Sequence, residues 1–361
     1  MKMIKIRIPV NLEVKTRKGI STVKFTKDLY VAATATWIPG STVSLADAIE
    51  RGIVGDDHKD LGYETISVAE NQSGAEMAVR AGRVAIERAG IDLADYGLVM
   101  HATGGFVGLD MWPAAAYVAN ETIGSRAVGY DVQQRCNGAL GALALAASFI
   151  TTGYTSAAMI TTGDNFASPW VDRWSCQANF IYGDGGTALV LSDKTGFARL
   201  VSATVGAENS LEPFSRGDAP FALSPGLEVP VRMLERGGQY GVKPEAEGGW
   251  GRYEAALRRT VEQALDDAGA NVEDIAWVTG PYIHRNQFPE NYELLGFKEE
   301  QSTWDLGRTI GHLGPGDPTA GINHFVENRS LSPGDLVLVF AAGAGFTLSA
   351  AVLEILNPPS W

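Results

Sequence analysis

Apolar and polar positions sort this chain into alternating extended and helical segments. Residues 29–37, LYVAATATW, are small or apolar almost throughout and predict a buried first strand, closed by Pro39-Gly40. Residues 75–89 carry apolar side chains at helical spacing and stop at Gly90, a C-cap signal. A strand over 96–102, the Gly104-Gly105 turn, a helix over 112–122 and a short strand over 126–131 follow. From Asn137 to Ile150 the chain is almost wholly Ala, Leu and Gly, so a helix there has no polar face and belongs at the centre of the molecule. Strands over 156–162 and 187–191 come next, the second preceded by the Gly-Asp-Gly-Gly run at 183–186. Residues 41–72 are polar and irregular apart from a short helix around 45–51. Residues 205–251, rich in Gly, Pro and charge, read as loops and short elements lining an entrance.

One unit is used twice. AIERAGIDLADYGLVM from Ala85 resembles ALDDAGANVEDIAWVT from Ala264, with Gly90 and Gly269, and Asp95 and Asp274, both 179 residues apart. Helix, Ala-Gly cap, acidic turn and apolar strand recur in order. Residues 156–163 have a looser counterpart in 335–342, each followed by a glycine-rich loop and a strand. The division that follows is an N-terminal extension over 1–22, a first half over 23–200 and a second half over 201–361. The first stretch carries Lys2, Lys5, Arg7, Lys15, Arg17 and Lys18 against a single Glu13. It reads as an appendage, either an added edge strand or a leader that is not native. It has no continuous apolar core of a secretory signal.

Composition removes several classes of function. A net charge of -13 opposes general binding to a phosphate backbone, so nucleic acid is not an expected partner. The longest apolar run, 138–150, falls short of the roughly 20 residues that span a bilayer, and no membrane association is expected. Two cysteines, Cys136 and Cys176, suit a reducing cytoplasm better than a disulfide framework. No Cys/His cluster has metal-ligand spacing.

Chemistry centres on residues 131–150. Cys136 stands where a strand gives way to the small-residue helix, whose N-terminal partial charge favours a thiolate. A nucleophilic cysteine needs a base, an orienter for the base and donors for an oxyanion. The second half offers His284 in GPYIHRNQ, Asp317 in GHLGPGDPTAGI and Gly345 in AAGAGF, where the missing side chain lets a backbone amide approach a ligand. His312, in the loop of Asp317, and His101, at the end of a first-half strand, are rival bases. Cys176 lacks a helix-start setting and reads as structural.

Together and in this order, these residues resemble the ketoacyl-acyl-carrier-protein synthase III family of the thiolase fold. The family pattern D-x-x-x-x-C-x-G is matched by residues 131–138, and H-Q-A-N by His284-Arg285-Asn286-Gln287. The motif G-N-T-S-A-A corresponds to residues 316–321 and G-G-G-F-T to residues 343–347. The resemblance covers residues 29–356. It implies an α/β thiolase fold with a duplicated five-layer αβαβα arrangement, a homodimer, and no permanently bound cofactor. It also implies that His284 outranks its rivals, with the amides of Cys136 and Gly345 as the oxyanion hole. The acyl donor would be a coenzyme A or acyl-carrier-protein thioester.

Three departures redirect the expected reaction. Asp317 replaces the family asparagine, the W-I-x-x-R-T-G-I segment that helps hold coenzyme A has no copy within 41–72, and the basic residue after the histidine motif is replaced around Phe288-Pro289. A carboxylate roughly 6 Å from a developing enolate opposes it by about 3 kcal/mol at an effective dielectric near 20, on the order of 100-fold in rate. Beside an imidazole the same carboxylate raises basicity and fixes the tautomer. The set Cys136, His284 and Asp317 therefore resembles the acyltransferase branch of the family, of the cervimycin-type malonyl transferase. That likeness implies malonyl transfer through a Cys136 acyl-enzyme to a hydroxyl, of a glycosylated polyketide in antibiotic biosynthesis, without loss of carbon dioxide. A decarboxylating ketoacyl synthase is the alternative, followed by a thioester hydrolase and a catalytically silent partner subunit.

Overall fold

The computed structural model describes residues 20–361 apart from 227, 284–291, 293 and 329. Its strands are β1 Ile20–Thr22, β2 Tyr30–Trp37, β3 Ser41–Ser44, β4 Thr65–Val68, β5 Tyr96–Ala102, β6 Val128–Val132, β7 Ala157–Asp164, β8 Gly185–Ser192, β9 Ala198–Ala207, β10 Ile275–Thr279, β11 Leu336–Gly343 and β12 Thr347–Ile355. Its helices are α1 Leu45–Glu50, α2 Gly74–Ala89, α3 Ala114–Thr122, α4 Gly138–Thr151, α5 Pro213–Arg216, α6 Met233–Gly241, α7 Gly249–Ala268, α8 Trp304–Ile310 and α9 Asp317–Glu327.

The duplication is visible in strand order. The first half runs β6-β5-β7-β8-β2 and the second runs β10-β11-β12-β9, and the two meet where β2 pairs with β9. In each half a parallel pairing (β5 with β7, β10 with β11) is followed by two antiparallel ones. The equivalent helices also end alike. Gly90 closes α2 at φ 60 and Gly269 closes α7 at φ 66, both in the left-handed region that glycine enters at little cost. At its other end α2 is fixed by a capping box between Ser73 and Glu76.

Helices α4 and α9 form the middle layer. The first packs on β5, β7, β9 and β12, the second on β2, β8, β10 and β11, while α2, α3 and α7 cover the outer faces. This is the five-layer thiolase arrangement. Burial explains the sequence of α4: Leu140, Leu143 and Ile150 are all but inaccessible, each worth about 1.5–3 kcal/mol of transfer free energy. Strands β7 and β8 are buried on both faces, with apolar stretches at residues 157–160 and 188–191.

Residues 41–44 and 65–68, expected to be irregular, form the two-stranded antiparallel pair β3-β4. The 205–251 region contains the end of β9, then α5, α6 and the start of α7. Ile20–Thr22, placed in the N-terminal extension, pairs with β9. The rest of that extension, residues 1–19, lies outside the described residues. No helix among the described residues is long and apolar enough to cross a membrane.

Candidate active site

Cys136 lies in a single 3₁₀ turn, Arg135–Asn137, that leads directly into α4. Asp131, which opens the sequence pattern, accepts a hydrogen bond from the Ala115 amide at 2.9 Å and so ties the end of β6 to the start of α3. The turn is clamped from the second half by the end of β11. A side chain at Gly343 would put its Cβ 2.1 Å from the Gln134 carbonyl oxygen, so only glycine allows β11 this close to the nucleophile. The following residues, 344–346, carry Gly345 at φ +146 between Ala344 and Phe346, both of which line the cavity above Cys136.

The imidazole set against Cys136 belongs to His312. Its Nε2 lies 3.0 Å from Cys136 Sγ, and its Nδ1 lies 2.5 Å from Asp317 Oδ2. The base expected from the histidine motif, His284, lies outside the described residues, as do Phe288 and Pro289. His312, a rival base in the sequence, stands against the sulfur for a physical reason. The Gly-His-Leu-Gly-Pro-Gly-Asp turn folds back on itself, so that the side chain at 312 meets the carboxylate five residues later. The other rival is excluded by its surroundings. His101 is fully buried on β5 with Nδ1 on the Thr161 hydroxyl, and burial pushes it down to about 4.

Backbone pairing fixes where the imidazole sits. The His312 amide donates to the Ile181 carbonyl, and the Gly183 amide donates back to the His312 carbonyl, at 2.9 and 3.0 Å. A Cβ at Gly183 would lie 1.9 Å from the Ile310 carbonyl oxygen, which is why this strand-like bridge needs glycine. The Gly-Asp-Gly-Gly run is structural. Asp184 is fully buried and makes a two-pronged ion pair with Arg173, at 2.9 Å on each oxygen, while accepting from the Ala69 and Phe166 amides. Phe180 and Tyr182 flank the His312 ring at 4.6 and 5.5 Å between centroids.

Asp317 opens α9, where the positive helix end suits a carboxylate. It has no exposed surface, and it accepts from the Tyr282 amide at 2.6 Å, the Leu313 amide at 2.8 Å and the His312 ring. Tyr282 is held in turn by the Tyr63 hydroxyl, which donates to its carbonyl at 2.6 Å. All carboxylate bonds point inward, so Asp317 faces the histidine and not the cavity. Burial alone would pull the His312 pKa down. The charges of Asp317 and Cys136 and the hydrogen bonds to them outweigh it, and the ring is held well above its usual range.

Above the three residues opens a cavity of about 750 Å³ with a largely aromatic wall that includes Phe166, Trp170, Phe180, Tyr182, Trp250 and Tyr253. A side lobe of about 360 Å³ continues between α5, α6 and α7, past Leu211, Phe214 and Gly237. Cys176 also borders the main cavity. It is buried, its thiol contacts the Val231 carbonyl at 3.6 Å, and burial raises its pKa.

A duplicated thiolase fold with a cysteine at the head of the central helix and an imidazole against its sulfur defines a thiolase-fold enzyme. Comparison with known proteins narrows the class. The sequence profile of 3-oxoacyl-[acyl-carrier-protein] synthase III matches residues 130–209, and that of its C-terminal domain matches residues 265–355. β-Ketoacyl-[acyl-carrier-protein] synthase III of Rhizorhabdus wittichii is 29% identical over 292 residues, spanning 79% of this chain and 85% of that protein. Among solved structures, the acyltransferase ChlB3 superposes with a TM-score of 0.87 at 31% identity, covering 92% of this chain and 98% of ChlB3. The synthase III of Pseudomonas aeruginosa superposes at 0.75 with 19% identity, over 92% of this chain and 100% of that one, a likeness of fold. The chain belongs to the ketoacyl-acyl-carrier-protein synthase III-like family.

Proposed function

We propose that this protein is an acyltransferase that moves an acyl group from a coenzyme A or acyl-carrier-protein thioester, through Cys136, to a hydroxyl acceptor without decarboxylation. The observation that carries this reading is the line Asp317–His312–Cys136. In a condensing enzyme, His and Asn both donate to the enolate oxygen. Here the His312 Nδ1–H is committed to Asp317, Asp317 can only accept, and Nε2 faces the sulfur, which is the arrangement of a base and its orienter.

In loading, His312 holds the proton of Cys136, and the sulfur attacks the donor carbonyl. A new S–C bond forms, the donor C–S bond breaks, and His312 returns the proton to the departing thiolate. Acylation removes the negative charge from Cys136, and with it one support for a charged ring. His312 is then free to accept the proton of the acceptor hydroxyl as its oxygen attacks the thioester. The S–C bond breaks, the ester forms, and Cys136 leaves paired with protonated His312. The amides of Cys136 and Gly345 are assigned to the oxyanion in both steps.

The finer reading is a malonyl group passed to a hydroxyl of a glycosylated polyketide. Likeness to the acyltransferase ChlB3 supports acyl transfer in general, and the roomy cavity with its aromatic side chains suits a planar acceptor. Incubation with malonyl- and acetyl-coenzyme A followed by intact mass measurement tests the reading. A Cys136 adduct of full malonyl mass is expected. An acetyl-mass adduct from malonyl thioester, with carbon dioxide released, would favour the decarboxylating synthase.

A homodimer is part of the same proposal. Strand β6 is an edge of the described sheet, with Val128 and Tyr130 exposed, and Tyr130, Phe149 and Tyr154 form a chain of ring contacts at 6.0 and 5.1 Å beside it. An open strand edge with an adjoining apolar strip invites a second copy. Light scattering at micromolar concentration is expected to give twice the chain mass; a monomer mass would refute it.

A further inference from the structure

Arg135 immediately precedes the nucleophile and lines the same cavity. Its backbone sits at φ 51, a region that side-chain-bearing residues seldom enter, and such an outlier beside a reactive group points to a task for the side chain. The guanidinium donates from Nη1 to the Gly104 carbonyl at 2.6 Å, which anchors one arm of the fork. Among the described residues it has no carboxylate partner. Arg236, the other arginine in the cavity wall, is paired with Glu228, and the wall's Glu254 makes no ion pair with Arg135. The charge of Arg135 acts on Tyr182 and Cys176, so the cavity side chains feel it. Among the described residues, a guanidinium without a carboxylate partner thus stands next to the nucleophile, in a protein with a net charge of -13.

We propose that Arg135 binds the free carboxylate of the acyl group carried on Cys136, so that the site selects acyl donors ending in a carboxylate over neutral ones of the same length. This rests on the acyl-enzyme reading of Cys136. A malonyl unit places its carboxylate two carbons from the sulfur, within reach of the neighbouring residue's side chain. The planar fork matches a carboxylate in two-pronged fashion, and Arg135 is exposed, so its fork is accessible to an incoming acyl group. The same contact opposes loss of carbon dioxide. Decarboxylation carries the negative charge from the carboxylate to the enolate oxygen, away from Arg135, so the guanidinium stabilises the intact acyl group more than the transition state that would destroy it.

The test measures loading rates of the full-length protein by intact mass with malonyl-coenzyme A, acetyl-coenzyme A and the monomethyl ester of malonyl-coenzyme A. The parent is expected to load malonyl roughly 3- to 5-fold faster than either neutral donor, the upper range of an exposed ion pair. Asparagine tolerates the left-handed backbone, so Arg135→Asn removes the charge with least strain. In that variant the malonyl-to-acetyl ratio should collapse toward unity, and Arg135→Lys should restore part of it. An unchanged ratio in Arg135→Asn overturns the proposal, as does a parent that loads the monomethyl ester as fast as malonyl. The ester comparison needs no variant and decides the matter should Arg135→Asn fail to fold. Absence of any Cys136 adduct from any donor overturns the acyltransferase reading itself, and this inference with it.

Discussion

His312→Ala is expected to lower acyl transfer to the hydroxyl acceptor by at least about 10⁴-fold, the scale on which removal of the base disables a nucleophile–base–acid set. Its ring is the only group among the described residues that touches both Cys136 Sγ and the Asp317 carboxylate. Without it the sulfur has no proton acceptor during loading and the acceptor hydroxyl none during transfer. The Asp317 carboxylate keeps its backbone donors at Tyr282 and Leu313, so the loop should survive, and circular dichroism would verify that the fold is intact. The parallel variant His284→Ala makes the assignment testable. Should that change abolish transfer while His312→Ala leaves it near the parent rate, the base is His284 and the role of His312 falls.

The sequence carried the nucleophile, the carboxylate and a rival base of this set, while His284 lies outside the described residues. Cys136 was legible because a strand, a polar turn and a helix of small residues surround it, and each is a local signal. Asp317 was legible because a glycine-proline loop leads into a helix, and it does open α9. The two halves were legible because caps repeat, and Gly90 and Gly269 share their left-handed geometry. His312 ranked second because motif likeness said nothing about how the turn at 311–317 closes. That closure depends on the bridge between Tyr182 and His312, a pairing between halves that no local pattern encodes. The left-handed backbone of Arg135 was equally hidden, since φ at an arginine leaves no mark on composition. The β3-β4 pair was missed because its strands are short and half-polar, and its stability comes from packing, as in Ile66 and Tyr63 against the second-half core.

Asp317→Asn separates transfer from condensation. The native carboxylate is ringed by donors: two backbone amides and the His312 ring. An amide oxygen can meet some of these, but its NH₂ must face one of the others. The escape that costs least is for His312 to turn its tautomer, accepting at Nδ1 and carrying its proton on Nε2, toward the sulfur. A ring protonated there cannot accept from the acceptor hydroxyl, and the same swap in a serine-protease triad costs about 10⁴-fold, so transfer should fall on that order. The same ring, now presenting an Nε2–H to the cavity, is a better donor to an enolate oxygen, and the carboxylate that opposed an enolate is gone. Slow release of carbon dioxide from malonyl thioester is therefore expected to rise as transfer falls. Both rates can be read from one incubation, by carbon dioxide capture and by acylated acceptor. Equal transfer by parent and variant would remove Asp317 as the orienter, and with it the main physical support for acyl transfer over condensation.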